Sequence, residues 1–163
     1  VNDRIIVLFL ILFCIVVNSA AQEPPPRPIS INVTAQGLSF GAFTLGATGG
    51  TVTVNPDGTR SSTGDVILLS LGYSYSPALI EVTGNPGTLV SILAGPDVSL
   101  PGSNGGSLLL HIGGTDPPSP FVINTVPPVS TPLYIGGTLT VGNPVSNPPG
   151  NYSGTFSITF VQE

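Results

Sequence analysis

The stretch from Phe40 to Ser62 reads FGAFTLGATGGTVTVNPDGTRSS. Within it, Thr51, Val52, Thr53 and Val54 alternate polar and apolar side chains, the period of a strand with one wet and one buried face. Asn55-Pro56-Asp57-Gly58 then supplies turn chemistry. Proline presets φ, aspartate bonds its own backbone two residues on, and glycine takes the left-handed conformation that closes a type I turn into a β-hairpin. Thr59 to Ser62 carries the return strand, so the stretch predicts a hairpin.

The rest of the chain repeats this grammar. Ile29, Ile31, Val33 and Ala35 alternate with Ser30, Asn32 and Thr34. Leu38–Leu45 reads as a second short strand, and Asp65–Leu71 (DVILLSL), almost continuously apolar, as a strand buried on both faces or at the centre of a sandwich. Further strands are predicted over Ala78–Thr83, Thr88–Ala94, Val98–Leu100, Ser107–Ile112, Phe121–Val126, Leu133–Val141 and Tyr152–Val161. Gly136-Gly137 marks a bulge or bend within Leu133–Val141. In the last run Tyr152, Phe156, Ile158 and Phe160 share one parity. Gly113–Pro120 (GGTDPPSP) reads as irregular. With 18 Pro and 21 Gly, and no helical periodicity, the chain has nowhere to form long helices. About ten short strands at this spacing predict an all-β sandwich.

The ends are read differently. Arg4, then the unbroken apolar run Ile5–Val17, then Asn18-Ser19-Ala20-Ala21 have the layout of a cleavable signal peptide over residues 1–21. The run is too short to span a bilayer. Gln22–Pro28 (QEPPPRP) reads as an extended Pro-rich arm, and residues 29–163 as one sandwich domain. The expected location is outside the cytoplasm, secreted or on the cell surface, with no membrane span in the mature chain. The one cysteine, Cys14, lies in the signal segment, so packing and sheet hydrogen bonds alone must hold the mature domain.

Charge excludes several functions. The formal net charge is −5, and beyond the signal segment the only basic side chains besides one histidine are Arg27 and Arg60. Two cations cannot neutralise a row of phosphates, so nucleic-acid binding is not expected. The chain has no lysine, hence neither a P-loop lysine nor a Schiff base.

Several of these motifs occur together and in order. FG-x-F, GGTVTV-NPDGTRSS-x-GDVILL, VTGNPG and GGTLTVG…PPGNYSGTFSITF resemble the bacterial domain-of-unknown-function family numbered 4402, over Leu38–Val161. That family looks related to the spore-coat-U and fimbrial-adhesin group of exported sandwiches. The resemblance implies an immunoglobulin-like antiparallel β-sandwich and a surface role. It brings no catalytic residues. Fimbrial subunits often carry a disulfide near the start of the domain, and this chain has none.

Candidate chemistry is sparse. Gly37-Leu38-Ser39-Phe40-Gly41 matches GxSxG, with Asp97 and His111 following in order. A nucleophile elbow needs a helix immediately after the serine, and AFTLGATGG is strand and glycine loop, so no catalytic residue is assigned and no enzyme is expected. His111 is the only histidine and has no cysteine partner for a metal. Asp57, Asp65, Asp97 and Asp116 sit in or beside loops without a DxDxDG-like cluster, so they read as loop caps; calcium held by separate loops is the open alternative. No cofactor is implied.

Tyr73 and Tyr75 read either as an aromatic platform for a glycan or as edge-strand packing. Ile29, Ile31, Val33 and Ala35, behind a Pro-rich arm, have the pattern that strand addition to a neighbour requires, namely apolar side chains at every second position for pockets and a backbone free to pair. The same strand could pair within its own domain. The expected function is an exported, non-catalytic structural or adhesive surface protein, with a pilin-like fibre subunit as its most specific form. Its partners would be further copies or neighbouring surface subunits. The alternative is a secreted binding module that recognises glycan or protein through its loops.

Overall fold

The computed structural model describes residues 27–163. The predicted signal peptide and residues 22–26 of the arm lie outside the described residues. Twelve strands follow one another: β1 Ser30–Val33, β2 Ser39–Phe40, β3 Ala42–Val54, β4 Arg60–Leu69, β5 Tyr75–Ser76, β6 Ala78–Thr83, β7 Leu89–Ala94, β8 Val98–Pro101, β9 Ser107–Asp116, β10 Phe121–Val122, β11 Thr131–Val141 and β12 Ile158–Gln162. Every pairing between them is antiparallel. The fold is therefore the all-β sandwich that the sequence predicts.

The larger sheet has seven strands and is organised around β11. One edge of β11 is shared. Its first half, Thr131–Ile135, pairs with β6, and its second half, Gly137–Val141, pairs with β3. Its other edge pairs with β9, and β8 lies beyond. The register shifts between Ile135 and Gly137, where the glycine pair predicts a bulge. The smaller sheet runs β10-β7-β12, and β2 pairs with β5.

Period-two alternation builds the core. Leu108, Leu110 and Ile112 of β9 point inward, while Leu109 and His111 are exposed. Val52, Val54, Ile80, Val82, Leu133, Ile135, Leu139 and Val141 join them from the large sheet, and Val90 and Phe121 from the small one. Each such side chain contributes about 1.5–3 kcal/mol when fully buried. The outer face is wet and hydroxyl-rich: Thr51 bonds Thr63 at 2.7 Å and Thr53 bonds Thr138 at 2.9 Å.

The opening hairpin forms as predicted. Gly58 N–H donates to the Asn55 carbonyl, and Gly58 has φ of 82°. Its strands run further than the sequence suggests, because β3 and β4 continue past an irregularity between Leu45 and Gly50. Straight, a ten-residue strand would hold its ends about 30 Å apart. Yet Arg60, the first residue of β4, donates from Nη2 to the carbonyl of Leu69, the last, at 3.3 Å. The ribbon therefore folds back at Gly46–Gly49 opposite Asp65. Such corners let one pair of strands serve both layers of a sandwich.

That corner corrects the reading of Asp65–Leu71. This segment is not buried on both faces: β4 ends the strand order, and Ile67 is 63% exposed. Its apolar residues divide instead: Val66 is buried, Leu68 packs half-buried against the core, and Ile67 faces solvent. Two boundaries also differ. β9 runs on through Gly113–Asp116, because Thr115 and Asp116 pair with Ile135 and Tyr134. The final strand starts only at Ile158, although Tyr152, Phe156, Ile158 and Phe160 all pack on the core, as their shared parity predicts.

Candidate functional site

The segment singled out for strand addition lies at a seam between the two sheets. β1 pairs with β6 in the register Ser30↔Thr83 to Val33↔Ile80 and ends the order of the large sheet. Thr34 extends the contact, its N–H and hydroxyl both reaching the Leu79 carbonyl. Successive residues of a strand direct their backbone groups to opposite sides. With Thr34 bonded toward β6, the even-numbered residues face β6 and the odd-numbered ones face outward. The outward N–H and C=O groups of Ile31 and Val33 meet no strand among the described residues.

The four apolar positions divide. Ile29 and Ile31 are half-buried and pack against the core. Val33 is 75% exposed and Ala35 is also exposed. Asn32 donates to the Glu81 carboxylate at 2.9 Å on the solvent side. Within its own domain, then, this strand uses only half of its apolar alternation.

A side chain that sequence reasoning missed closes the seam. Gln162, at the end of β12 in the small sheet, accepts from Ile29 N–H through Oε1 at 3.0 Å and donates from Nε2 to the Arg27 carbonyl at 3.2 Å. Nothing in the alternation of β12 distinguishes this glutamine from any other strand-end polar residue.

The tyrosines separate. Tyr73 is 68% exposed in the loop before β5. Tyr75 lies beneath Arg60, whose guanidinium carbon is 4.3 Å from the ring centroid. Arg60 Nη1 also donates to the carbonyls of Phe40 and Ala42 at 2.9 and 3.3 Å. This arginine is a structural staple for the folded ribbon, and one face of Tyr75 belongs to it. Three of its five N–H donors are thereby engaged within the domain. Its isolation in a charge-poor chain was the one signal pointing to it.

The GxSxG serine does not sit on a strand–helix elbow. Ser39 donates to the Ser74 carbonyl at 2.8 Å, and strand rather than helix follows it. His111 Nδ1 meets Asp97 Oδ1 at 2.7 Å on the outer face of β9. Asp57 caps its own turn, accepting from both the N–H and the hydroxyl of Thr59. The Thr59 hydroxyl above all, with the Thr59 N–H, holds the Asp57 carboxyl below its ordinary value of 3.8. Among the described residues no three His, Cys, Asp or Glu side chains converge as a metal site would need. No helix there is long and apolar enough to cross a membrane.

No match was found among curated proteins or among solved structures. The model of the family described as Domain of unknown function (DUF4402) matches residues 30–161, most of the chain and nearly all of the sandwich just described, and the chain belongs to that family.

Proposed function

We propose that this protein is an exported, non-catalytic structural or adhesive component of a bacterial cell surface, and that copies assemble by exchanging their first strand. The observation that carries this reading is the position of β1. It is a four-residue edge strand whose ladder partner, β6, lies far along the chain, and it follows a Pro-rich segment. Such a strand can leave its partner without disturbing the rest of the sheet, and an identical strand from another copy fits the vacated edge. The exposed Val33 adds apolar surface that the home domain does not use. The likeness to spore-coat-U and fimbrial-adhesin sandwiches supports the same reading.

The alternative, a loop-based glycan or protein binder, draws less support. Arg60 occupies one face of Tyr75, which leaves Tyr73, 68% exposed, as the more open ring of the two.

Deleting residues 22–35 tests the proposal. Loss of half-buried Ile29 and Ile31 costs about 2 kcal/mol, so a folded, sheet-rich monomer is expected. Sedimentation should show that the wild type associates with rising concentration and that the deletion does not. A wild type that stays monomeric at high concentration would refute the assembly reading.

A further inference from the structure

We propose that Gln162 is a clasp that controls how readily β1 leaves its seat, so that a single side chain on the last strand gates the mobility of the first. This deepens the strand-exchange reading and rests on it for its biological meaning.

Geometry carries the inference. The carbonyl of Arg27 and the N–H of Ile29 flank Pro28 and bond one primary amide. That is the pair of bonds that one residue of a parallel strand would make to an extended neighbour. The Gln162 side chain thus stands in for a peptide unit, with one acceptor and one donor used together. Pro28 has no N–H to offer β6, so the β1–β6 ladder cannot grow toward the arm past this point. The clasp takes over where the ladder must stop.

The clasp also joins the two sheets. β1 belongs to the large sheet and Gln162 to the small one. Under the seam, Ile29 lies against Gly84 and Ile123. A Cβ on Gly84 would come within 3.1 Å of Ile29 Cγ2 and 2.7 Å of Ile123 Cδ1, so the glycine makes room for the seated isoleucine. The neighbouring Glu163 is itself tied down, its N–H to the Leu89 carbonyl and its carboxylate to the Ser91 hydroxyl at 2.6 Å. The clasp is therefore anchored on its own strand, while its partner segment is the one with few bonds.

Exchange between copies would rebuild the same clasp in the recipient. Removing it therefore speeds release of β1 without changing the final distribution of assembled species. This separates a gate from a residue that merely stabilises the assembled form.

Amide hydrogen exchange on the full chain reads the gate directly. Two amides matter: Ile29, which bonds Gln162, and Thr34, which bonds Leu79 of β6 and does not touch the glutamine. In Gln162→Ala, both should lose protection, Thr34 by about tenfold, the worth of one to two net hydrogen bonds. Amides of β11 should not change. Gln162→Glu keeps the acceptor for Ile29 and loses the donor to Arg27, so its loss should be intermediate. If Ile29 alone loses protection while Thr34 stays as in the wild type, the bond is local and the gate does not exist.

Mixing two isotopically labelled populations gives the second arm. Mixed assemblies should form about tenfold faster in Gln162→Ala, with the same final distribution. A shifted final distribution would overturn the gate in favour of a plain stabiliser. Wild-type copies that never mix would defeat strand exchange itself, while the Thr34 amide would still decide whether the clasp holds the strand.

Discussion

Two segments of this chain are nearly the same in sequence: Gly49-Gly50-Thr51-Val52-Thr53-Val54 and Gly136-Gly137-Thr138-Leu139-Thr140-Val141. They are direct partners in the large sheet. Thr51 pairs with Thr140, Thr53 with Thr138 and Val52 with Leu139, and each outer Val pairs with the other segment's second Gly. The register is thus self-symmetric, a local two-fold through the Val52–Leu139 pair. The first glycines share a task as well. A Cβ on Gly49 would fall 2.4 Å from the Val141 carbonyl oxygen, and one on Gly136 would fall 2.6 Å from that of Val54. Each segment begins with a glycine because its partner's last carbonyl passes too close for anything else.

The symmetry ends with the flanks. β3 is followed by its other neighbour, β4, across a tight turn, whereas β11 is preceded by its other neighbour, β9. A duplicated half-sandwich would keep the same chain order on both sides. The difference favours one bulge–strand device used twice, with local sequence fixing the pairing and context fixing what lies beyond.

The largest test of the shared seam is at its centre. Leu139→Ala should destabilise by about 3 kcal/mol, as for a leucine deleted from a packed core. Val52→Ala should cost less, because fewer atoms leave the same contact. The two residues touch across the axis, so the double variant should depart from additivity. Urea unfolding checks this through shifted midpoints at an unchanged m. Equal costs for the two, or strict additivity, would show that the pair is not the shared centre of the seam.

A smaller effect separates the turns that follow the two segments. After β11, Asn147 is the one buried polar side chain of the described residues. It donates to the Ser107 carbonyl at 2.6 Å and accepts from Gly142 N–H. Asn147→Ala leaves both backbone groups without a partner, which costs about 2 kcal/mol. The turn after β3 is closed by solvent-exposed Asp57, so Asp57→Ala should shift the midpoint by much less. Comparable shifts from both would mean that burial of the cap does not matter here.

This contrast also marks how far the sequence can be read. The NPDG turn was legible because its chemistry is contiguous: Asp57 bonds Thr59 two residues on, and Gly58 supplies the left-handed φ. The alternation of β9 and the parity of Tyr152–Phe160 were legible for the same local reason. The corner at Gly46–Gly49 was not, because its glycines matter only opposite Asp65, across the ribbon. Of the candidate site, the β1 segment was visible as alternation behind prolines, but Gln162 meets it across more than a hundred residues. No local pattern encodes a contact at that distance.

The smallest effect is in the response to acid, and it sets the two turns apart by charge alone. Asp57 is an anion whose carboxyl is held below its ordinary value by the Thr59 hydroxyl and N–H. A group whose pKa is lowered on folding stabilises the fold above its unfolded value, here 3.8. That contribution fades as pH falls below this point and is gone below the folded pKa. Protonation removes the negative charge that Thr59 holds, so the Thr59 amide should lose protection from hydrogen exchange over this window. The second turn is capped by the neutral side chains of Asn143, which accepts from Val145 and Ser146 N–H, and Asn147. Neither asparagine titrates, so the Gly142 and Ser146 amides should keep their protection through the same window. Asp57→Asn should make the first turn behave like the second. If Thr59 protection in the wild type is flat below 3.8, or if Ser146 falls alongside it, the two turns do not differ in the way their caps imply.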